Sequence, residues 1–299
     1  MKPELLVEPV MPADLERRFG GLARLYGAPG AQRIRRAHIV VVGLGGVGSW
    51  AAEAAARSGV ARVTLVDLDH IAESNINRQV HALDNTLGVA KVQAMRERIA
   101  HINPDCVVDC IEEFVDANNW PGVLGFESDF DWKMLAVVDA CDQVKAKTAM
   151  AAWAIKTKVM FISVGAAGGK RLAHKVDIED LSLVTHDPLL AQMRNRLRKE
   201  HGAARDKKKI GVACVFSREA VMLPGAVAFI ANVETADALQ RKDSPTDLSV
   251  DAQSDATLNC HGYGSVVTVT STFGLCAAGW VLGKIADRDF KDPKNDAII

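Results

Sequence analysis

HIVVVGLGGVGS, His38 to Ser49, is the stretch on which the reading of the whole chain turns. Its first five residues, His38, Ile39, Val40, Val41 and Val42, read as a strand buried on both faces. Gly43, Gly45 and Gly48 then supply G-x-G-x-x-G, and a helix follows at once through Ala51, Ala52, Glu53 and Ala54 to Arg57. Strand, tight turn and helix start together make a seat for phosphate, because the backbone N–H groups at a helix N-terminus point at the anion. Glycine is needed where a side chain would hold the phosphate away. The pattern alone also fits a glycine-rich structural turn. Its context favours a nucleotide, since Val63 to Val66 form a second strand ending at Asp67, about twenty residues on, where a carboxylate accepts from ribose hydroxyls. Asp69 is placed with Asp67 in that site.

Working outward, strands and helices alternate. Ala13 to Arg36 reads as a basic helix, Asp67 to Gln79 as a polar loop, and Gly88 to Ile102 as a helix stopped by Asn103-Pro104. Val107-Val108, Leu135 to Val138 and Val159 to Val164 read as further strands, with a helix over Val144 to Lys156. Such alternation predicts an α/β fold with a Rossmann-like, mostly parallel doubly wound sheet. Beyond the turn Gly165 to Gly169, Val176 to Ile178 reads as a returning antiparallel strand, Leu189 to His201 as a helix and Val212 to Phe216 as a short strand. The expected organisation is an N-terminal helical segment over 1–36, a nucleotide-binding half over 37–169, and a smaller substrate-binding and dimerisation lobe with antiparallel strands over 170–299.

Composition narrows the class. The chain has 299 residues, 48% of them hydrophobic and 24% charged, enough for a sizeable core. A formal net charge of -1 means that any polyanion must be met by a local patch. The six cysteines include no C-x-x-C pair, which argues against a four-thiolate zinc site and for reduced cytosolic thiols. Proline and acidic residues near the N-terminus leave no room for a continuous signal-peptide core, so the expected location is cytoplasmic. Gly262 to Gly283 carries no charged residue and is long enough to raise a membrane span or peripheral association. Its Gly, Ser, Thr and Ala content favours a buried helix.

The chemistry exceeds that of a dinucleotide dehydrogenase. The loop after the second strand carries Asn75, Asn77, Arg78 and Gln79, and Lys91 opens the next helix. Arg78 and Lys91, a planar fork and a point charge, are the cations wanted around a triphosphate whose phosphoryl bond breaks. Asp142, at the same carboxyl edge of the sheet, reads as a Mg²⁺ ligand or as a cap for the helix near Val144. Cys141 and Cys214 read as buried thiols. Cys260 beside His261 reads as either a reactive pair or a packed turn.

The motifs GLGGVGS, VTLVDLDHIAESNINRQ, Lys91, HINP and DACD together resemble the ubiquitin-activating-enzyme-like adenylyltransferases, the superfamily of molybdopterin and thiamine sulfur-carrier activators. The likeness covers about Arg17 to Gly169. RRFGGLARLYG, GVACVFS, NCHGYGS and TSTFG resemble one branch, the tRNA threonylcarbamoyladenosine dehydratases. That resemblance implies ATP and Mg²⁺, adenylylation of a carboxylate on a modified adenosine of tRNA, and its cyclisation. It places ATP on Gly43, Gly45, Gly46, Asp67, Asn75, Arg78, Lys91 and Asp142. A homodimer, a tRNA partner and a cysteine-desulfurase and sulfur-acceptor system are implied with it. Three departures stand out. Gly21 occupies the place of an arginine that reaches across the dimer, so Arg18 or Arg24 must substitute or the role is absent. Zinc-binding C-x-x-C pairs are missing, and no crossover-loop cysteine lies between Phe216 and Leu258.

Two other readings stay open: activation of the C-terminal glycine of a small sulfur-carrier or ubiquitin-like protein, and a nucleotide-binding scaffold without turnover. The segment Gln192 to Ile210 concentrates positive charge, with Arg194, Arg196, Arg198, Lys199, Arg205, Lys207, Lys208 and Lys209 against Glu200 and Asp206. Arg194, Arg198, Lys207, Lys208 and Lys209 are the expected contacts to tRNA phosphates. A plain solvated surface is the alternative.

Overall fold

The computed structural model describes residues 13–126, 135–206, 208–222 and 263–288. Seven strands form one sheet: β1 (His38–Val42), β2 (Arg62–Val66), β3 (Val107–Ile111), β4 (Leu135–Asp139), β5 (Met160–Val164), β6 (Val176–Asp180) and β7 (Ala213–Ser217). Their spatial order is β3-β2-β1-β4-β5-β7-β6. All neighbours are parallel except β6 and β7, which pair antiparallel from Val176 opposite Ser217 to Asp180 opposite Ala213. The expected doubly wound α/β sheet with an antiparallel extension is the observed one.

Burial on both faces explains the apolar strands. Ile39 and Val41 of β1 enter one core while Val40 and Val42 enter the other, as the alternation of a strand demands. The first core lies under α2 (Gly21–Arg35), α3 (Gly48–Arg57), α4 (Lys91–Ile102) and α7 (Val267–Ala286); the second lies under α5 (Val144–Thr157) and α6 (Pro188–Glu200).

The uncharged C-terminal stretch is a core helix. Helix α7 is long and apolar enough to cross a membrane by length and composition. Its inner stripe of Val269, Phe273, Ala277, Val281 and Ile285 is instead buried in the first core. The alanine face of α3, Ala51, Ala52, Ala55 and Ala56, is buried in the same core. Gly274 lets α3 and α7 meet, since a Cβ there would lie 2.9 Å from the Trp50 Cβ and closer still to the Val47 carbonyl oxygen.

At the N-terminus the single expected helix is two. Helix α1 (Leu15–Phe19) ends at Gly20, and α2 is interrupted at Gly27, whose φ of 71° is left-handed, two residues before Pro29. Helix α4 begins at Lys91 and not at Gly88, which leaves Val89 exposed outside it.

Candidate functional site

The ends of β1, β2, β4 and β5 open into a cavity of about 460 Å³. Ligands collect at this edge of an open α/β sheet, where the order of strands reverses between β1 and β4. The glycine loop forms its floor. Gly43 adopts φ 86°, and a Cβ on it would lie 2.9 Å from the backbone of Ala140 and Cys141. Gly48 sits so close to the Gly43 carbonyl oxygen that a Cβ would overlap it. These two glycines are therefore fixed by the turn itself. Gly45 is different, because nothing lies within 4 Å of its missing side chain and the loop backbone is open to the cavity. Gly46 lies under Arg78: a Cβ there would stand 3.0 Å from the Arg78 Cγ.

The cations meet at one wall. Arg78 Nη1 donates to the carbonyl oxygen of Ser74 at 2.7 Å and to Asn77 Oδ1 at 2.9 Å, while the indole of Trp50 donates to the Arg78 carbonyl. The fork is thus oriented before any ligand arrives. Asn75 is buried and accepts the Ala72 N–H through Oδ1, so it shapes the turn that carries Arg78. Lys91, also buried, lies 2.6 Å from Asp69 and 3.8 Å from Asp67. Asp67 accepts from the Leu44 N–H at 2.5 Å and from the Asp69 N–H at 2.9 Å, which turns its carboxylate toward the glycine loop. Burial pushes the Asp67 carboxyl above the usual carboxylate range, with Lys91 and the two backbone donors pulling against it.

Asp142 is exposed in the cavity wall. It does not cap α5; Gln143 occupies that position, and its side chain makes no capping bond. Beneath Asp142 lies a pair that the sequence reading missed. Asp139 and Lys147 are fully buried, 3.0 Å apart. Asp139 also accepts from Ser163 Oγ at 2.6 Å and from the Cys141 N–H at 3.3 Å, while Lys147 Nζ donates to the Cys141 carbonyl at 2.9 Å. The pair thereby holds the turn that packs on Gly43. Burial alone disfavours the Lys147 charge, yet the Asp139 carboxylate outweighs it and the lysine pKa is raised. A sequence signal existed, since Lys147 shares a helical stripe with the buried Met150, Ala151 and Ala154.

Cys141 and Cys214 are quiet thiols. Burial and then Asp139 push Cys141 well above its ordinary pKa, and its Sγ–H donates to Asp139. Cys214 is wholly buried in β7 and likewise raised by burial. Cys260 and His261 lie outside the described residues, as do most of the residues between Phe216 and Leu258.

On the basic segment, Arg194 Nη1 donates to the carbonyls of Leu181 and Val184, and Arg198 Nε to that of Ala204. Both guanidinium groups fasten α6 to its surroundings. Lys208 and Lys209 are exposed, and Lys207 lies outside the described residues. Of the two candidates for the missing N-terminal arginine, Arg18 donates to the Ile102 carbonyl of its own chain at 2.8 Å. Arg24 is exposed on α2.

Known proteins resemble this chain over most of its length. The chain is 38% identical over 271 residues to tRNA threonylcarbamoyladenosine dehydratase of Escherichia coli (strain K12), covering 90% of this chain and 93% of that one. The crystal structure of the E. coli enzyme, TcdA, in complex with ATP superposes with a TM-score of 0.73 at 37% identity, covering 92% of this chain and 97% of that one. The complex of TcdA with AMP matches equally, with a TM-score of 0.73, 37% identity and coverage of 93% and 97%. The ThiF family matches residues 18–297, and with the glycine loop, Asp67, Arg78, Lys91 and Asp142 gathered at one sheet edge, the chain belongs to the ThiF family.

Proposed function

We propose that this protein is an ATP-dependent tRNA threonylcarbamoyladenosine dehydratase. The observation that carries the reading is one cavity in which a glycine loop, the Asp67 and Asp142 carboxylates and the cations Arg78 and Lys91 converge. Likeness over 90% of the chain to a dehydratase, and to its structures with ATP and AMP, supports it. In this reaction a carboxylate oxygen of the modified adenosine attacks the α-phosphorus of ATP. The bond to the bridging oxygen of the β-phosphate breaks and pyrophosphate leaves. A nucleophile of the same side chain then attacks the acyl carbon and gives up its proton, the acyl bond to the AMP oxygen breaks and a ring closes, so the nucleoside loses the elements of water at the expense of ATP.

The chain's own residues have separable roles. Backbone N–H groups at the glycine loop and α3 N-terminus hold phosphate oxygens. Asp67 orients the ribose. Arg78 and Lys91 stabilise charge as pyrophosphate forms, Lys91 exchanging its Asp69 contact for phosphate. Mg²⁺ binds proteins through one or two carboxylates plus substrate phosphates, and Asp142, exposed beside the glycine loop, fits that arrangement. Such an ion neutralises phosphate charge. On this reading the protein acts on tRNA in the cytoplasm as a homodimer, with Arg24, exposed on α2, as the cation that would reach the partner.

Pyrophosphate exchange into ATP tests the reading. Exchange stimulated by tRNA bearing threonylcarbamoyladenosine is expected. Stimulation only by a carrier protein with a C-terminal glycine would make the chain a sulfur-carrier activator, and no stimulation would leave a scaffold.

No thioester is needed. A variant with Cys141, Cys214 and Cys260 all changed to Ser, once shown to be folded, retains ring closure; abolished turnover with ATP binding intact would contradict this. Lys207, Lys208 and Lys209 contact tRNA backbone phosphates. Their triple change to Glu weakens tRNA binding, and the slope of log affinity against log salt flattens by about one for each phosphate no longer neutralised. ATP binding is unchanged. Equal tRNA affinity of variant and parent at moderate salt would reduce the patch to a soluble surface.

A further inference from the structure

We propose that the half of the cavity beyond β4 is the seat of the substrate's purine base, and that the ring of Tyr263 stacks on it. This rests on the dehydratase reading and names the subsite that reading requires. The cavity has two chemically distinct halves. Charged side chains, Asp67, Asp69, Arg78, Lys91, Glu113 and Asp142, line it around the ends of β1 to β4. Around the end of β5 its described lining is uncharged: Gly165 to Gly168, Pro188, Leu189, Val221 and Tyr263.

Strand order gives the halves their roles. Asp67 follows β2, on one side of β1, whereas Gly165 follows β5, beyond β4. The ATP ribose belongs to the first side, so the α-phosphate at the glycine loop lies between it and the uncharged half. A second substrate presenting a carboxylate to that phosphorus from the other side rests its remaining bulk on the uncharged wall. A neutral planar purine suits a wall of glycine, aliphatic and one aromatic side chain, because a π-face gives stacking without charge.

That wall is built to hold the ring. A Cβ on Gly168 would lie 3.3 Å from the Tyr263 Cβ, and one on Gly169 would lie 3.3 Å from its Cδ1, so the tyrosine rests directly on the glycine turn. The Gly169 N–H donates to the Gly264 carbonyl at 2.9 Å, and the Met222 N–H to the Gly169 carbonyl at 2.8 Å. Asp187 ties the turn to α6, accepting from the N–H groups of Ala166 and Leu190, each at 2.9 Å. Lys170, almost wholly buried, donates to the carbonyls of His186 and Glu219. Three chain segments and a helix start thus fix the turn on which the ring rests, as a preorganised binding wall requires.

Steady-state kinetics on threonylcarbamoyladenosine-bearing tRNA at saturating ATP, with calorimetric titration of ATP, tests the assignment on Tyr263→Ala and Tyr263→Phe. Tyr263→Ala is expected to raise KM for tRNA by about ten- to a hundredfold, the range for loss of one base–aromatic stack, with ATP affinity unchanged. Tyr263→Phe keeps the ring and stays near the parent. An unchanged KM in Tyr263→Ala, or an equal loss in Tyr263→Phe, overturns the stacking role while the parent protein's turnover upholds the dehydratase reading. A parent that binds ATP yet never converts the tRNA overturns both. Should Tyr263→Ala fail to fold, Gly168→Ala, whose added methyl meets the tyrosine, raises KM in the same direction or the proposal fails.

Discussion

Replacing Arg78 or Lys91 by alanine lowers turnover about 100-fold or more at saturating ATP, because each removes a positive charge that stabilises the phosphate oxygens as the phosphoryl bond breaks. The two variants differ in a second respect. Arg78 is held by Ser74 and Asn77, so its loss removes the fork alone. Lys91 also faces Asp67, whose carboxyl is already raised by burial and is lowered by that lysine. Without Lys91 the Asp67 pKa rises further, and the ionised form that accepts from ribose is lost at a higher pH on acidification. ATP affinity of Lys91→Ala therefore falls off on the acid side at higher pH than that of Arg78→Ala, which titration across pH measures. Full activity of both variants at saturating ATP would show that these cations do not serve the reaction.

The largest stability effect belongs to Lys147. Lys147→Ala leaves Asp139 buried without its partner, at a cost of about 3–5 kcal/mol. Changing Lys147 to Met and Asp139 to Leu together recovers much of that loss, since a buried pair replaced by apolar groups leaves no orphan charge. Ser163 and the Cys141 N–H lose an acceptor in the double variant, so recovery is incomplete. Chemical denaturation of the single and double variants checks both statements. A single variant as stable as the parent would contradict a stabilising role for the pair.

How much of this was legible in the sequence depends on the range of the interactions. The strand His38–Val42 and the glycines after it are local features, and the fold followed from them. The antiparallel extension was legible too, although β7 inserts between β5 and β6, because turn residues bracket each strand. Helix α7 was harder, since its length and lack of charge fit a membrane span as well; its small residues favoured burial, and the buried stripe and the contact of Gly274 with α3 show it. The break in the N-terminal helix was written in Gly20, Gly27 and Pro29 but masked by the surrounding arginines. In the site, Gly43, Gly45, Gly46, Asp67, Asn75, Arg78, Lys91 and Asp142 were named from the sequence and lie together in the cavity wall. What the residue types lacked was pairing: Lys91 with Asp69, Arg194 with two carbonyls, and Asp139 with Lys147 are tertiary facts. Gly46 carries its meaning only once the Arg78 side chain is seen to cross it.

Mass analysis of the product tests the central claim most directly. The purified protein is incubated with ATP and tRNA bearing threonylcarbamoyladenosine, the tRNA is digested to nucleosides, and AMP and pyrophosphate are quantified beside them. The modified nucleoside is expected to lose the mass of one water, with one AMP and one pyrophosphate formed per nucleoside converted. An unchanged nucleoside, with AMP released only when a carrier protein bearing a C-terminal glycine is supplied, would contradict the account.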